Sequence, residues 1–246
     1  MSIELTAKQY DDIAVEYHYC RTHDLSFYTE YLELPAMLDF IKNDLQNKKI
    51  LDLGCGTGIL TQHLQVIANE VKGCDISTEM LKIAIQNNPN VKFRLSENGL
   101  IPFDDGFDMV VASLVLDNIA DWNPLLQDVK RILNQDGLFI FSLINPISEC
   151  GFTDESNSRV IGSPSYFSTD KLSKNWKANN KIYPFIRYHK TYEQIISLIL
   201  ENGFEINGYK DVQPIESAKD RFPEQYELWS MVPKCCIWKI KPKGEN

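Results

Sequence analysis

Between residues 48 and 143, short apolar runs alternate with longer stretches whose apolar positions recur at helical spacing. The runs KKILDLG (48–54), EVKGCDI (70–76), VKFRL (91–95), FDMVVAS (107–113) and GLFIFSL (137–143) are rich in β-branched and aromatic residues, as buried strands are. GILTQHLQVI (58–67) and STEMLKIAIQNN (77–88) fill the first two intervals with helical patterns. PLLQDVKRIL (124–133) precedes the fifth run and ends in NQDG, a helix-stop signal. Strands that alternate with helices predict βαβ units, and hence a parallel sheet covered by helices on both faces.

The flanking segments read differently. Two helices are expected before the sheet, over Thr6–Tyr19 and Ser26–Asn43. The second carries Leu32, Leu34, Met37, Leu38 and Ile41 near helical spacing, and Pro35 should bend or split it. After residue 143 the alternation lapses for more than 40 residues. It resumes with the helical TYEQIISLILENG (191–203), whose Asn-Gly ending signals a left-handed cap, followed by FEINGYKDV and CCIWKIKP (235–242) as a closing, hairpin-like pair of strands. The interval Asn145–Lys190 sets Phe152, Tyr166, Phe167, Trp176, Tyr183, Phe185, Tyr188 and His189 among Gly, Pro, Ser and Asn. A structureless loop of that length is uncommon in a compact domain, so a lid or substrate-binding insertion is expected, with a small packed subdomain as the alternative.

The chemistry concentrates where the first strand meets the first helix. In Leu51-Asp52-Leu53-Gly54-Cys55-Gly56-Thr57-Gly58, the glycines let the backbone turn sharply and approach a ligand. The spacing is GxGxG, which departs from the GxGxxG of dinucleotide binding. Asp75 ends the second strand, 23 residues beyond Asp52, where a carboxylate can accept from both hydroxyls of a ribose. Ser77 is free to cap the following helix in its place. Ser96-Glu97-Asn98 follows the third strand and offers acceptors and a backbone N–H able to read an adenine edge; a plain polar turn is the alternative.

In order and spacing, LDLGCGTG, GCDIS, SENGLIPFDDGFDMVVASLVL and LNQDGLFIFS resemble the class I S-adenosylmethionine-dependent methyltransferases over about residues 48–143. The resemblance implies an α/β, Rossmann-like, doubly wound and mostly parallel seven-stranded sheet, with an N-terminal helical cap and an insertion after strand 5. It makes 1–246 a single domain: cap 1–47, cofactor core 48–143, lid 144–190, and C-terminal helix and strands 191–246. The implied cofactor is S-adenosyl-L-methionine. Its methionine moiety would be wrapped by the turn of Asp52, Gly54, Cys55, Gly56 and Gly58, and its ribose held by Asp75. Ile76 and Met80 would meet the adenine faces, Glu97 and Asn98 its edge, and the Ser113 backbone the cofactor. YDDIAVEY resembles the N-terminal helix with which many small-molecule members close over the cofactor, suggesting Tyr10 or Tyr17 as a lid contact. YHKTYEQIISLILENGFEI resembles a bacterial small-molecule subgroup, in which His often stands at the positions here held by Asp117 and Asn145.

A general base, if the acceptor needs one, is sought in His189 and Asp117, with Tyr188 and His18 behind them. The net charge of −9 disfavours nucleic acid, and the expected partner is a small-molecule acceptor, with the protein a monomer or homodimer. No secretory signal or membrane span is legible, so a cytoplasmic location is expected. The six cysteines show no metal-ligand spacing, and Cys235 and Cys236 should point to opposite faces of a strand. Two other classes stay open: a non-catalytic cofactor-binding or interaction protein, and a nucleotide-linked oxidoreductase, which the glycine spacing opposes.

Overall fold

A computed structural model describes residues 3–23, 26–104, 106–149, 166–168, 171–178 and 181–244. The parallel strands are β1 (Lys49–Leu53), β2 (Glu70–Asp75), β3 (Lys92–Leu95), β4 (Phe107–Ala112) and β5 (Leu133–Ile144). The insertion contributes β6 (Lys171–Ala178) and β7 (Lys181–Tyr188), and the C-terminal part β8 (Phe204–Val212) and β9 (Cys235–Pro242). Seven of these form one sheet in the order β3-β2-β1-β4-β5-β9-β8, while β6 and β7 pair antiparallel as a separate ribbon. The order reverses at β1 and β4, whose neighbouring C-terminal ends open a crevice, the usual ligand position in such sheets. Strand β9 runs antiparallel to both β5 and β8, so its first residue lies level with the end of β5, Ile144 facing Cys235.

The helices are α1 (Ile3–Thr22), α2 (Glu33–Ile41), α3 (Ile59–Leu64), α4 (Thr78–Asn87), α5 (Asn123–Ile132), α6 (Pro146–Glu149), α7 (Tyr192–Glu201), α8 (Ala218–Arg221) and α9 (Pro223–Met231). Alternation along the strands divides the core. Val110, Phe139, Phe141 and Cys236 bury against Leu126 and Val129 of α5 and Ile195 and Ile199 of α7. Met109, Val111, Ile140 and Cys235 bury against Met37 and Ile41 of α2 and Leu60 and Leu64 of α3. Cys235 and Cys236 thus face opposite layers, as adjacent strand residues must. No disulfide forms among the described residues; Cys150 and Phe152 lie outside them.

The expected second helix is split, though before Pro35. A π-helical turn, Phe27–Leu32, ends at Leu32 (φ −129°, ψ −87°), and α2 restarts at Glu33. Pro35 then falls in the first turn, where a missing N–H leaves no hydrogen bond unmade. Helix α7 opens on a capping box between Thr191 and Gln194, and Gly203 just past its end adopts φ +76°. Helices α8 and α9 fill the span between the last two strands, where no pattern announced them. No helix among the described residues is long and apolar enough to cross a membrane.

Helix α1 is held from several sides. The Asp11 carboxylate accepts from the Ser77 hydroxyl (2.6 Å) and from Glu79 N–H (3.0 Å), placing an anion at the N-terminus of α4. Gln9 donates to the Pro184 carbonyl of β7 at 3.0 Å. Ile13, Ala14 and Met80 form a small core of their own, against which Tyr10, Tyr17, Trp176, Tyr183 and Phe185 pack.

Candidate active site

The turn between β1 and α3 wraps around the end of β2. Gly54 and Cys55 both donate backbone N–H to the Cys74 carbonyl, at 2.8 and 3.0 Å, and Gly56 N–H donates to Asp75 Oδ2 at 2.8 Å. Gly56 has φ +53°, and a Cβ there would meet nothing within 4 Å. Gly58 has φ +80°, and a Cβ there would collide with the Asn88 side chain. The first glycine keeps backbone open toward a ligand; the second lets α3 pack on α4.

Above this turn lies a cavity of about 660 Å³. Of the residues expected to bind cofactor, Gly54, Gly56, Asp75, Ile76, Met80, Asn98, Ser113 and Tyr17 line it. Asp75 accepts Gly56 N–H on one carboxylate oxygen and Ser77 N–H on the other, each at 2.8 Å. Burial pushes its carboxyl up to about 6, against the pull of those backbone donors. Ser77 does cap α4, its side chain accepting from Met80 N–H, which leaves Asp75 to the cavity. Asn98 adopts φ +53°, a conformation asparagine tolerates, and sits on the wall beside Ser96 and Gly99.

Four expected contacts lie off the wall. Glu97 is exposed and does not line the cavity. Gly58 is packed behind the turn, and Cys55 is buried beneath it. Asp52 is buried and accepts from the Thr61 hydroxyl at 2.5 Å, bracing α3 against β1. Desolvation, with Asp75 and Glu33 nearby, pushes the Asp52 carboxyl up to about 7.

The two catalytic candidates, His189 and Asp117, lie off the wall as well. His189 is 4% exposed, its Nε2 lies 2.9 Å from the Tyr166 carbonyl, and its ring packs edge-on to Tyr166. Asp117 is buried and accepts from Ile144 N–H at 2.9 Å, fastening the end of β5. Neither lines the large cavity. Both border a much smaller void behind its wall, with Trp122 and Lys190. A polar residue just after a strand can turn to either side, and here both turn inward to satisfy backbone groups. Asn145 is also buried, donating to Asp211 at 3.0 Å. Tyr188 does reach the large cavity, together with Trp176 and Phe185. His18 bonds Thr57 Oγ1 at 3.0 Å beside the glycine turn, and burial and His23 lower its pKa.

A further buried acid, Glu33, stands outside the sequence motifs. Glu33 Oε1 accepts from the Ser142 hydroxyl at 2.6 Å and from the Ser113 hydroxyl at 2.9 Å, while Ser142 Oγ accepts from Leu114 N–H at 3.0 Å. Leu114 has φ +55°, so this network pins a strained loop on the cavity floor. Burial raises the Glu33 carboxyl, opposed by its two hydroxyl donors and by Arg21. The available signal was spacing: Glu33 falls in register with the buried Met37 and Ile41.

The cover over the cavity comes from α1 and the ribbon. Tyr10 lies 5.4 Å from Phe185 and Tyr17 6.1 Å from Trp176, ring centre to ring centre, and the Tyr10 hydroxyl donates to Asn118 at 3.3 Å. Among the described residues no group of three or more His, Cys, Asp or Glu is placed to hold a metal ion.

Comparison with known proteins agrees with this geometry. A model of the methyltransferase domain family matches residues 44–219. An uncharacterized protein of Haemophilus influenzae is 30% identical over 229 residues, covering 86% of this chain and 87% of its own. A ubiquinone biosynthesis O-methyltransferase of Actinobacillus pleuropneumoniae is 32% identical over 133 residues, 49% of this chain, and the match spans 57% of that enzyme's length. Among solved structures, a candidate S-adenosylmethionine-dependent methyltransferase of Listeria monocytogenes superposes with a TM-score of 0.68 at 26% identity, over 86% of this chain and 97% of that one.

Proposed function

The chain belongs to the S-adenosylmethionine-dependent methyltransferases, and from that premise we propose that it methylates a small molecule, on oxygen, nitrogen or carbon, inside the cavity above the glycine turn. One observation carries the reading. A positive-φ glycine turn and the buried Asp75 line a cavity that Tyr10, Tyr17, Trp176, Phe185 and Tyr188 also line.

The residues present suit the cofactor. The Asp75 oxygens accept backbone N–H groups from Gly56 and Ser77, and a carboxylate has acceptor sites beyond these for ribose hydroxyls. Gly54 and Gly56 offer bare backbone for the amino acid end. Ile76 and Met80 supply apolar surface for adenine, and Ser96 and Asn98 polar groups for its edge. Tyr10 and Tyr17 add aromatic surface, which favours a cationic donor. When bound, S-adenosylmethionine supplies a methyl group on a sulfonium, whose carbon–sulfur bond breaks as the bond to the acceptor forms.

The chain's own contribution is alignment and exclusion of water. No histidine is among the described lining residues, and the carboxylates on the wall are Asp75 and Asp121. Holding donor and nucleophile in line can contribute roughly 7–11 kcal/mol in favourable cases without any base. The named relative is an O-methyltransferase, which supports an oxygen acceptor first. The net charge of −9 argues against nucleic acid.

Titration with S-adenosylhomocysteine, followed by transfer from labelled S-adenosylmethionine to a panel of hydroxylated metabolites, tests the reading. Saturable binding and labelling of a metabolite are expected. Robust methylation of RNA or DNA with no labelled metabolite would overturn it.

A further inference from the structure

The loop that follows β4 is held by side chains at both the N–H and the carbonyl of one residue. Leu114 N–H donates to Ser142 Oγ at 3.0 Å, and the Leu114 carbonyl accepts from Asn118 Nδ2 at 3.2 Å. The same amide reaches the Val115 carbonyl at 3.2 Å, and Asn118 Oδ1 accepts from the Tyr10 hydroxyl at 3.3 Å. Leu114 has φ +55°, a region disfavoured for any residue with a Cβ and open to glycine. A leucine pinned there puts a side chain on the cavity wall, which glycine could not do.

The acid beneath sets the direction of this network. Ser142 lies in β5 and is fully buried, and Glu33 opens α2 and is 4% exposed. Glu33 Oε1 accepts from the Ser142 hydroxyl at 2.6 Å and from the Ser113 hydroxyl at 2.9 Å. With its one hydrogen committed to Glu33, the Ser142 hydroxyl meets Leu114 as an acceptor, which that N–H requires. A buried carboxyl is unfavourable in a helix that otherwise buries Leu34, Ala36, Met37 and Ile41, and an apolar side chain of similar size would avoid the cost.

The loop stands against the glycine turn. A Cβ on Gly54 would collide with the Val115 side chain, and Gly54, Ser113, Leu114 and Val115 all line the cavity. A molecule seated on Gly54 and Gly56 therefore has the loop beside it. We propose that Glu33 is a positioning residue for the cofactor: through Ser142 it holds Leu114 in the left-handed conformation, and with it residues 113–115 against the amino acid end of S-adenosylmethionine. Glu33 does not itself line the cavity. The proposal rests on the methyltransferase reading of the same cavity.

The test titrates the full chain with S-adenosylhomocysteine by calorimetry and follows stability by denaturant unfolding. Glu33→Met keeps the size and removes the acceptor, whereas Glu33→Gln keeps an acceptor oxygen. Ser142→Ala keeps the acid, and so leaves in place the neighbour of Arg21, which acts on Glu33 and also lines the cavity. Glu33→Met and Ser142→Ala should each weaken binding roughly tenfold, the equivalent of about one net hydrogen bond, and Glu33→Gln should recover most of that loss. Packing alone predicts otherwise. Methionine in place of a buried acid would then leave stability level or raise it, with affinity unchanged and glutamine no better than methionine. Affinity within about twofold of wild type in either Glu33→Met or Ser142→Ala overturns the proposal, as does Glu33→Gln binding as weakly as Glu33→Met. If Glu33→Met does not fold, Ser142→Ala decides. In the wild type the Leu114 amide should exchange as slowly as those of β4 although it lies in a loop, and fast exchange there overturns the proposal whichever variants fold. Failure of the wild type to bind S-adenosylhomocysteine is a separate result, and it overturns the assignment of the cavity itself.

Discussion

The two ends of the cavity are built from different kinds of structure. At the β2 end the wall is main chain: the Gly54–Gly56 turn, the Asp75 carboxylate pinned by two backbone donors, and Asn98 in a left-handed turn, all within the β1–β3 half of the sheet. Elsewhere the wall is side chain: Tyr10, Tyr17 and Arg21 from α1, Trp176 and Arg187 from the ribbon, and Lys234 just ahead of β9. Backbone geometry restricts which residues can stand in a position. Side chains gathered from distant segments do not restrict their neighbours in sequence. On the proposed reading, the main-chain end takes the cofactor and the side-chain end takes the acceptor.

The sharpest test of the main-chain end concerns its glycines. Gly58→Ala should destabilise the protein by about 2–4 kcal/mol, because a non-glycine residue at φ +80° is strained and its Cβ meets the Asn88 side chain. Gly56→Ala, at φ +53° with open space ahead of it, should cost about 1 kcal/mol in stability but weaken S-adenosylhomocysteine binding. Denaturant unfolding and calorimetry read the two effects. Equal stability losses would remove the distinction between a packing glycine and a ligand-facing one.

Asp75→Asn should weaken S-adenosylhomocysteine binding by about 1.5–3 kcal/mol. Its pH dependence sharpens the comparison. The carboxyl is raised to about 6, so the ionised acceptor is lost below that pH, and wild-type affinity should fall as pH drops through 6 while the variant stays flat. Stability of the ligand-free protein runs the other way. A carboxyl raised on folding stabilises at pH below its unfolded value near 3.9, and that contribution fades as pH rises through 6. Asp52, raised to about 7, acts in the same sense. Affinity that is flat across pH 5–7 would detach Asp75 from the ribose.

This contrast explains what could be read from the chain. The five parallel strands, the glycine turn and Asp75 were legible because each depends on a local requirement: an apolar run, a positive φ, the end of a strand. The ribbon was not. KLSKNWKA and KIYPFIRY hold polar residues and Pro184, which suits only an exposed, two-stranded element. Helices α8 and α9 have little apolar periodicity, and α9 buries no residue fully. The sequence could not place His189 and Asp117 on the smaller void, because residue type and position after a strand do not set which way a side chain turns. Glu33 was overlooked because a lone acid in an apolar helix reads as an exception, not as a partner for Ser113 and Ser142.

Orientation can be tested directly. Asp117→Ala leaves Ile144 N–H without its acceptor and should cost about 1–3 kcal/mol in stability. His189→Phe removes the contact with the Tyr166 carbonyl and should cost about 1 kcal/mol. Neither should change turnover per folded molecule by more than about threefold, since neither side chain lines the cavity. A loss of roughly a hundredfold in kcat with normal stability would return a base to the side-chain end.

The smallest expected effect concerns motion of the cover. Helix α1 is tied down by side-chain contacts, Gln9 to Pro184, Asp11 to Ser77 and Tyr10 to Asn118, and among the described residues the ribbon shares no backbone pairing with the main sheet. Side-chain contacts of this kind open locally at lower free energy than a sheet ladder, so amides of α1 and of β6 and β7 should exchange faster than those of β1 and β4 in the ligand-free protein. A ligand that touches Tyr17 and Met80 adds to the same small core that joins α1 to the ribbon. Protection in both segments should therefore rise together on adding S-adenosylhomocysteine, by about 1–2 kcal/mol in opening free energy, while β4 changes little. Tyr17→Ala should reduce the rise in both. Equal protection of α1, the ribbon and β4 before ligand is added would show that the side-chain end is as rigid as the main-chain end, and closure would then play no part in admitting the acceptor.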